Sequence, residues 1–274
     1  MGLLKSAYMK FIFPNERLHK RVVPFALFVK CALDDFAQAP RQLLTVDLVR
    51  WLICMPRYIF MFVIFKRYRF AEDLGSGVSH NALLHNMRGV GELSAPRSHL
   101  LIRPVVTIDH IAKNISSKTV LSIGPRAEGE MYNLFGYGFR RKNVRGLDLF
   151  SYSPYVDAGN MHSMGYADNS FDVVISGWVL GYSDDKQKCA DEMIRVCKNG
   201  GVIAIGNGYY EMTEEDVVQQ TGLVIGSKEK VTDLAFIERL FGVTAENAYF
   251  RYDGSKDRVN GAPLISVFRV EKKS

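Results

Sequence analysis

The sequence predicts an α/β fold: a mostly parallel sheet with helices on both faces, closed at one edge by an antiparallel C-terminal hairpin. Three observations predict it. From residue 100 onward, short apolar runs rich in β-branched residues alternate with segments of helical period. One run, FDVVISGWVL (171–180), is apolar on both faces, as a central parallel strand is. The chain then finishes with ENAYFRYD and APLISVFRVEKK, two strand-like runs joined by a polar turn.

The elements follow in order. TVLSIG (119–124) is a strand ending in glycine, and Glu128 to Phe135 starts a short helix that Gly136 and Gly138 stop. NVRGLDL (143–149) is a second strand ending in an acid. After FDVVISGWVL, the segment SDDKQKCADEMIRVCKNGG reads as a helix: Ser183 is a candidate cap, and Cys189, Met193 and Cys197 share a face. GVIAIG (201–206) is another buried strand, and TDLAFIERLFG (232–242) is an amphipathic helix. Only about ten residues separate Asp148 from Asn160. A parallel crossover helix needs roughly a dozen or more, so the helix there is expected to be missing or reduced.

Residues 1–99 read as a separate helical, basic region, and 100–274 as the α/β body. Residues 1–70 hold twelve Lys/Arg against four acids, a net charge of +8, while the whole chain is +6. The body is therefore slightly acidic, which argues against nucleic acid as a partner. WLICMPRYIFMFVIFKRYRF (51–70) is the most apolar stretch, yet its longest uncharged run, Tyr58 to Phe65, is eight residues. A spanning helix needs about 20 apolar residues. Aromatics and bases around a short apolar segment suit a helix lying in an anionic membrane interface; a helix packed on the body fits equally. MGLLKSAYMK reads as no signal peptide, although Gly2 and Ser6 fit a myristoylation pattern. Ala71 to Pro96 is glycine-rich, reads as a connection with a short helix near Asn81 to Met87, and could serve as a lid. Cys31, Cys54, Cys189 and Cys197 form no CxxC pair, and no His/Cys cluster has zinc spacing, so reduced thiols in a cytoplasmic compartment and no metal are expected.

Ligands of such sheets sit at the carboxyl ends of the strands. TVLSIGPRAEGE carries Gly124 and Gly129 at P-loop spacing, but Glu130 and Met131 stand where that loop has Lys and Ser or Thr. A dinucleotide loop is GxGxxG, and Arg126 occupies its second glycine position. Like charges about 4 Å apart repel by about 1 kcal/mol in water and more in a partly buried site, so Glu128 and Glu130 weaken both phosphate readings. A cofactor without phosphate avoids the conflict.

Residues 119–206 resemble the class I, seven-stranded, Rossmann-like S-adenosylmethionine-dependent methyltransferases. VLSIGPRAEGE is similar to their first motif and GLDLFSYSP to the second. GNMHSMGYADNSFDVVISGWVLGYSDD and EMIRVCKNGGVIAIG are similar to the stretches through strands four and five. The resemblance implies S-adenosylmethionine as cofactor. It assigns Gly124, Pro125, Glu128 and Gly129 to the cofactor loop, and Asp148 and Leu149 to the ribose end of strand two. It places Asn160 and Met161 at the adenine, and Ser176, Gly177 and Trp178 facing the cofactor after strand four. Two departures stand out: Ser122 replaces the acid many members carry on strand one, and Asn160 replaces the acid near the adenine.

Methyl transfer requires alignment more than a dedicated motif. His80 and His85 in the glycine-rich segment and Tyr182 after strand four are the catalytic candidates; Asp184, Tyr209 and Tyr210 also follow strand ends, and His162 follows Met161. With the basic N-terminal region at a membrane, O-methylation of a small-molecule, lipid-linked or glycan substrate is expected. The other class is a non-catalytic module of this fold docking to a membrane or protein partner.

Overall fold

A computed structural model describes residues 40–73, 83, 92–211, 219, 227 and 229–272. The chain divides into two compact units, Met1–Gln42 and Leu43–Ser274. Only the last three residues of the first are among those described. The second unit holds α1 (Asp47–Tyr58), a π-helical continuation Ile59–Ile64, β1 (Arg69–Phe70), α2 (Ser98–Val106) and α3 (Asp109–Ala112). Then come β2 (Val120–Ile123), α4 (Glu128–Tyr137), β3 (Val144–Asp148), β4 (Phe150–Ser151) and β5 (Val156–Ala158). β6 (Phe171–Gly177), α5 (Lys186–Val196), β7 (Cys197–Gly208), α6 (Leu234–Phe241), β8 (Ala248–Asp253) and β9 (Pro263–Arg269) complete it.

Seven strands form one sheet in the order β5-β3-β2-β6-β7-β9-β8. The first five are parallel, while β9 runs antiparallel to both β7 and β8. This is the predicted sheet with its antiparallel terminal hairpin. Successive side chains of a strand face opposite ways, so the apolar runs of β2, β6 and β7 feed two cores. Leu121, Ile123, Val174 and Ile203 pack with Met193 and Ile237 from α5 and α6. Val120, Val173, Ile175 and Ala204 pack with Ile102, Val105 and Met131 from α2 and α4.

The short crossover from β3 to β5 contains no helix; it carries the two-residue β4, which pairs antiparallel with β1. Aromatic side chains cover this edge instead. Phe62 lies edge-on to Phe150 at 5.6 Å, Tyr58 edge-on to Tyr152 at 5.8 Å, and Phe70 against Phe150 at 5.2 Å.

Two local expectations are corrected. Ser183 does not cap α5: its hydroxyl meets His162 Nε2 at 2.7 Å, and the capping side chain is Asp185, which accepts from Lys188 N at 3.0 Å. Gly136 does not stop α4 either. It lies inside the helix where a Cβ would come within 2.9 Å of Thr45, and Gly138, at φ 116°, makes the left-handed end.

The segment from Leu43 to Phe70 is fastened to the body by arginines. Arg50 is fully buried and donates to Ser94 O at 2.7 Å, Leu44 O at 2.8 Å and Asn133 Oδ1 at 3.3 Å, and it pairs with Asp47. Arg57 grips Glu128 with two bonds, Nε to Oε2 at 2.6 Å and Nη2 to Oε1 at 2.9 Å. Glu128 is buried, and Ser153 Oγ donates a further bond at 2.8 Å. Removing one partner of a buried pair leaves an uncompensated charge. Arg57→Met should therefore destabilise by about 2–4 kcal/mol and lower the melting temperature by roughly 5–12 °C in differential scanning fluorimetry. An unchanged melting temperature would show that the pair does not fasten this segment.

Candidate functional site: a cleft at the carboxyl ends of the strands

The carboxyl ends of β2, β3 and β6 and the loops after them enclose two adjoining hollows. The first is lined by Ile123, Gly124, Leu147, Asp148, Leu149, Gly159, Asn160, Met161, Val179 and Tyr182. The second runs past Gly124, Pro125, Arg126, Glu130, Gly177 and Trp178 to Arg97 and Ser98. A further opening shares Arg126, Trp178 and Tyr182 and continues to Asn207, Tyr210, Glu229 and Lys230.

The loop after β2 is shaped by close approach. Gly124 has φ +73°, and a Cβ there would stand 1.9 Å from Val179 Cγ1. Its amide donates to Leu147 O at 2.8 Å, tying the loop to β3. Arg126 follows at φ 51°, and its amide donates to Asp148 Oδ2 at 3.0 Å. Trp178 after β6 sits at φ 58°, its amide donates to Gly206 O at 2.8 Å, and Arg97 lies 5.8 Å from its ring. A bulky residue in the left-handed region is strained, and such strain clusters where a ligand must be held.

Three carboxyl groups line the hollows, the exposed Glu92 and two that burial perturbs, Asp148 and Glu130. Asp148 is buried, and burial pushes its carboxyl up to about 6 against the pull of the Arg126 amide. Glu130 bonds the Ser122 hydroxyl; burial pushes it up to about 7, with the Asp148 charge adding to the shift. Glu130 thus brings a carboxyl to Ser122, the strand-one position that lacks an acid. It was not among the predicted site residues, although it is two positions beyond one that was.

Of the predicted residues, Gly124, Asp148, Leu149, Asn160, Met161 and Tyr182 meet in the first hollow. Pro125, Gly177 and Trp178 meet in the second. Others lie elsewhere. Glu128 turns away to Arg57 and Ser153. Gly129 makes room for the chain behind it, since a Cβ would meet Leu93 O at 2.1 Å. Ser176 is buried with its hydroxyl unpartnered and lines neither hollow. Asn160 Oδ1 already accepts from His162 N at 2.9 Å and meets His162 Nδ1 at 2.6 Å, so it is engaged rather than spare for an adenine amino group. His162 is buried beside it, and burial lowers its pKa. His80 and His85 lie outside the described residues.

Residues 137–205 match the family model described as a methyltransferase domain. An uncharacterized protein of Mycobacterium bovis and another of Mycobacterium tuberculosis are each 41% identical over 46 residues. The match spans 17% of this chain and 17% of the length of those relatives. Among solved structures, the N-methyltransferase NodS from Bradyrhizobium japonicum is 15% identical, with a TM-score of 0.41 over 64% of this chain and 95% of that one. A SAM dependent methyltransferase from Aquifex aeolicus is 14% identical, with a TM-score of 0.43 over 67% and 97%. The matched segment makes that part of the chain similar to a methyltransferase domain, and the seven-stranded sheet is of the kind expected of the class I S-adenosylmethionine-dependent methyltransferase family. The cofactor that this family and fold imply is S-adenosylmethionine.

The residues present fit that group. The first hollow has apolar walls for an adenosine and one carboxylate, Asp148, for hydroxyl donors. The second offers Glu130 to an ammonium and Arg97 and Arg126 to a carboxylate.

Asp148 makes a pH-dependent prediction. The folded chain holds its proton more tightly than the unfolded chain, whose carboxyl titrates near 3.8. The stability this contributes is full below about 3.8 and is lost as the pH rises through about 6, so ionised Asp148 burdens the empty protein at neutral pH. Asp148→Asn should therefore raise the melting temperature of the ligand-free chain at about pH 7.5, by up to roughly 3 kcal/mol of stability. The gain should shrink as the pH falls towards 4, and the thermal shift given by S-adenosylhomocysteine should disappear. A lower melting temperature at neutral pH with the ligand shift retained would remove Asp148 from the site.

Proposed function

We propose that the chain is an S-adenosylmethionine-dependent methyltransferase acting on an oxygen of a small-molecule, lipid-linked or glycan acceptor, working in the cytoplasm at an anionic membrane. The observation that carries the reading is the continuous cleft from Asp148 past Gly124 and Glu130 to Tyr182 and Tyr210. The cofactor, when bound, supplies an electrophilic methyl group on a sulfonium. This chain's residues hold and align. Asp148 accepts from ribose hydroxyls, Leu149 and Met161 pack on the adenine, and Glu130 receives the ammonium. Gly124 allows close backbone approach.

The acceptor enters through the opening beyond Tyr182. Arg97, Arg126 and Lys230 line it against two acids, Glu92 and Glu229. With Arg97 and Arg126 turned to the cofactor's carboxylate, Lys230 in this lining favours an oxygen nucleophile with an anionic neighbour. No histidine lines this opening among the described residues. Tyr182, whose hydroxyl burial holds in the protonated form, serves to position the acceptor by donating a hydrogen bond. Rate then comes from in-line alignment, with the acceptor's proton passing to solvent or to a residue of the glycine-rich segment. A second reading, a non-catalytic module that docks without turnover, draws on the engaged Asn160 carbonyl and the serine at position 122.

Thermal unfolding with S-adenosylhomocysteine, ATP and NAD in parallel tests the reading. A ligand at a hundred times its Kd stabilises by about 2.7 kcal/mol, a rise of roughly 5–10 °C for this chain, expected with S-adenosylhomocysteine alone. Glu130→Gln should reduce that rise, whereas Tyr182→Phe should keep it and lower methyl turnover about tenfold. No rise with S-adenosylhomocysteine puts the docking module first.

A further inference from the structure

The helix from Asp47 to Ile64 is inverted relative to an ordinary surface helix. Its charged residues beyond the first turn, Arg50 and Arg57, point inward and are bonded to Ser94 O, Asn133 and Glu128. Its exposed side chains after Asp47 are all apolar, and Leu48, Leu52, Met55, Ile59, Val63 and Ile64 mark the stripe. From Leu48 to Val63 they recur at spacings of three and four, which places them on one face, and Ile64 follows directly. Leu48 is 64% exposed and Ile64 55%, more than half of their area in each case. An exposed apolar stripe of this length is a partner site, since water alone leaves it unfavourable.

The flanking charge states which partner. Lys66 and Arg67 are exposed directly after the stripe, and no acid occurs between Asp47 and Glu72. A second copy of the chain pairing about a twofold axis would cover the stripe but would bring to these bases only Asp47, which is already paired with Arg50. Residues 1–39 of the same chain carry six bases against three acids, so their net charge has the same sign as these bases. An anionic lipid surface supplies both an apolar layer and negative charge. No helix among the described residues is long and apolar enough to cross a membrane, so the stripe would lie along the surface.

We propose that the outer face of Asp47–Ile64, with Lys66 and Arg67, docks the protein on anionic phospholipid. This deepens the membrane part of the reading above and rests on it. The full-length chain is floated with liposomes of phosphatidylcholine alone and of phosphatidylcholine with about 30% phosphatidylglycerol. The same preparations are melted with and without S-adenosylhomocysteine. Binding to the anionic liposomes is expected, weakened by salt. The pairs Ile59→Asp with Val63→Asp, and Lys66→Glu with Arg67→Glu, should each reduce it by about tenfold or more, with melting temperature and ligand shift kept.

No flotation, or flotation that neither pair alters, overturns the proposal. A sedimenting dimer that the Ile59 and Val63 changes dissociate, without flotation, assigns the face to a second copy and overturns it too. Flotation with the expected sensitivity but no S-adenosylhomocysteine shift removes the methyl-transfer reading and leaves the surface standing.

Discussion

The fork between Arg57 and Glu128 is the constraint on which much of this structure turns. Glu128 is the first residue of α4, directly after the glycine loop, and Arg57 lies on α1. The carboxylate also takes the Ser153 hydroxyl from the crossover, so one buried acid fixes three segments. An acid at a helix start is favoured by the dipole as well. Once the fork is made, α1 must present its arginines inward. The apolar residues on the opposite side, Leu48, Leu52 and Met55, are left to face outward.

That fixed helix start sets the cleft. Gly124 to Ala127 has four residues in which to leave β2 and enter α4, and Arg126 takes the left-handed backbone that the turn demands. Its amide then lands on Asp148. Asp148 and Glu130 are held where burial opposes their ionisation, and the Asp148 charge raises the cost of ionising Glu130 further. The empty site is therefore electrostatically unfavourable at neutral pH, and donors or a cation arriving in it relieve that cost. Strain of this kind is expected at a binding site and not in a structural core.

The sheet was largely legible because its evidence is local. Apolar runs at period two, glycine ends and the short spacing from Asp148 to Asn160 determine strands and the absent helix without reference to distant residues. The cleft residues at strand ends followed from topology. What could not be read was the direction of individual side chains. Glu128 and Glu130 look alike in sequence, yet they diverge by two helical positions, one to Arg57 and the other to Ser122. Gly129 reads as a ligand glycine but serves packing against Leu93, a contact 36 residues away in the chain. Ser183 reads as a cap because it precedes a helix, and only the fold brings His162 to it.

The N-terminal segment shows why the two alternatives raised by its sequence, membrane helix or packed helix, need not compete. The crossover between β3 and β5 lacks a helix, and that edge of the sheet would expose Phe150 and Tyr152. Tyr58, Phe62, Tyr68 and Phe70 supply the missing cover. The inner face of the segment is thus part of the body's own core, and the outer face remains available for a surface. Deleting the whole segment would remove Arg57 and the aromatic cover together with the apolar stripe, so loss of any function on deletion would be ambiguous. Substitution on the outer face alone separates the two duties, because helical geometry has already placed them on opposite sides.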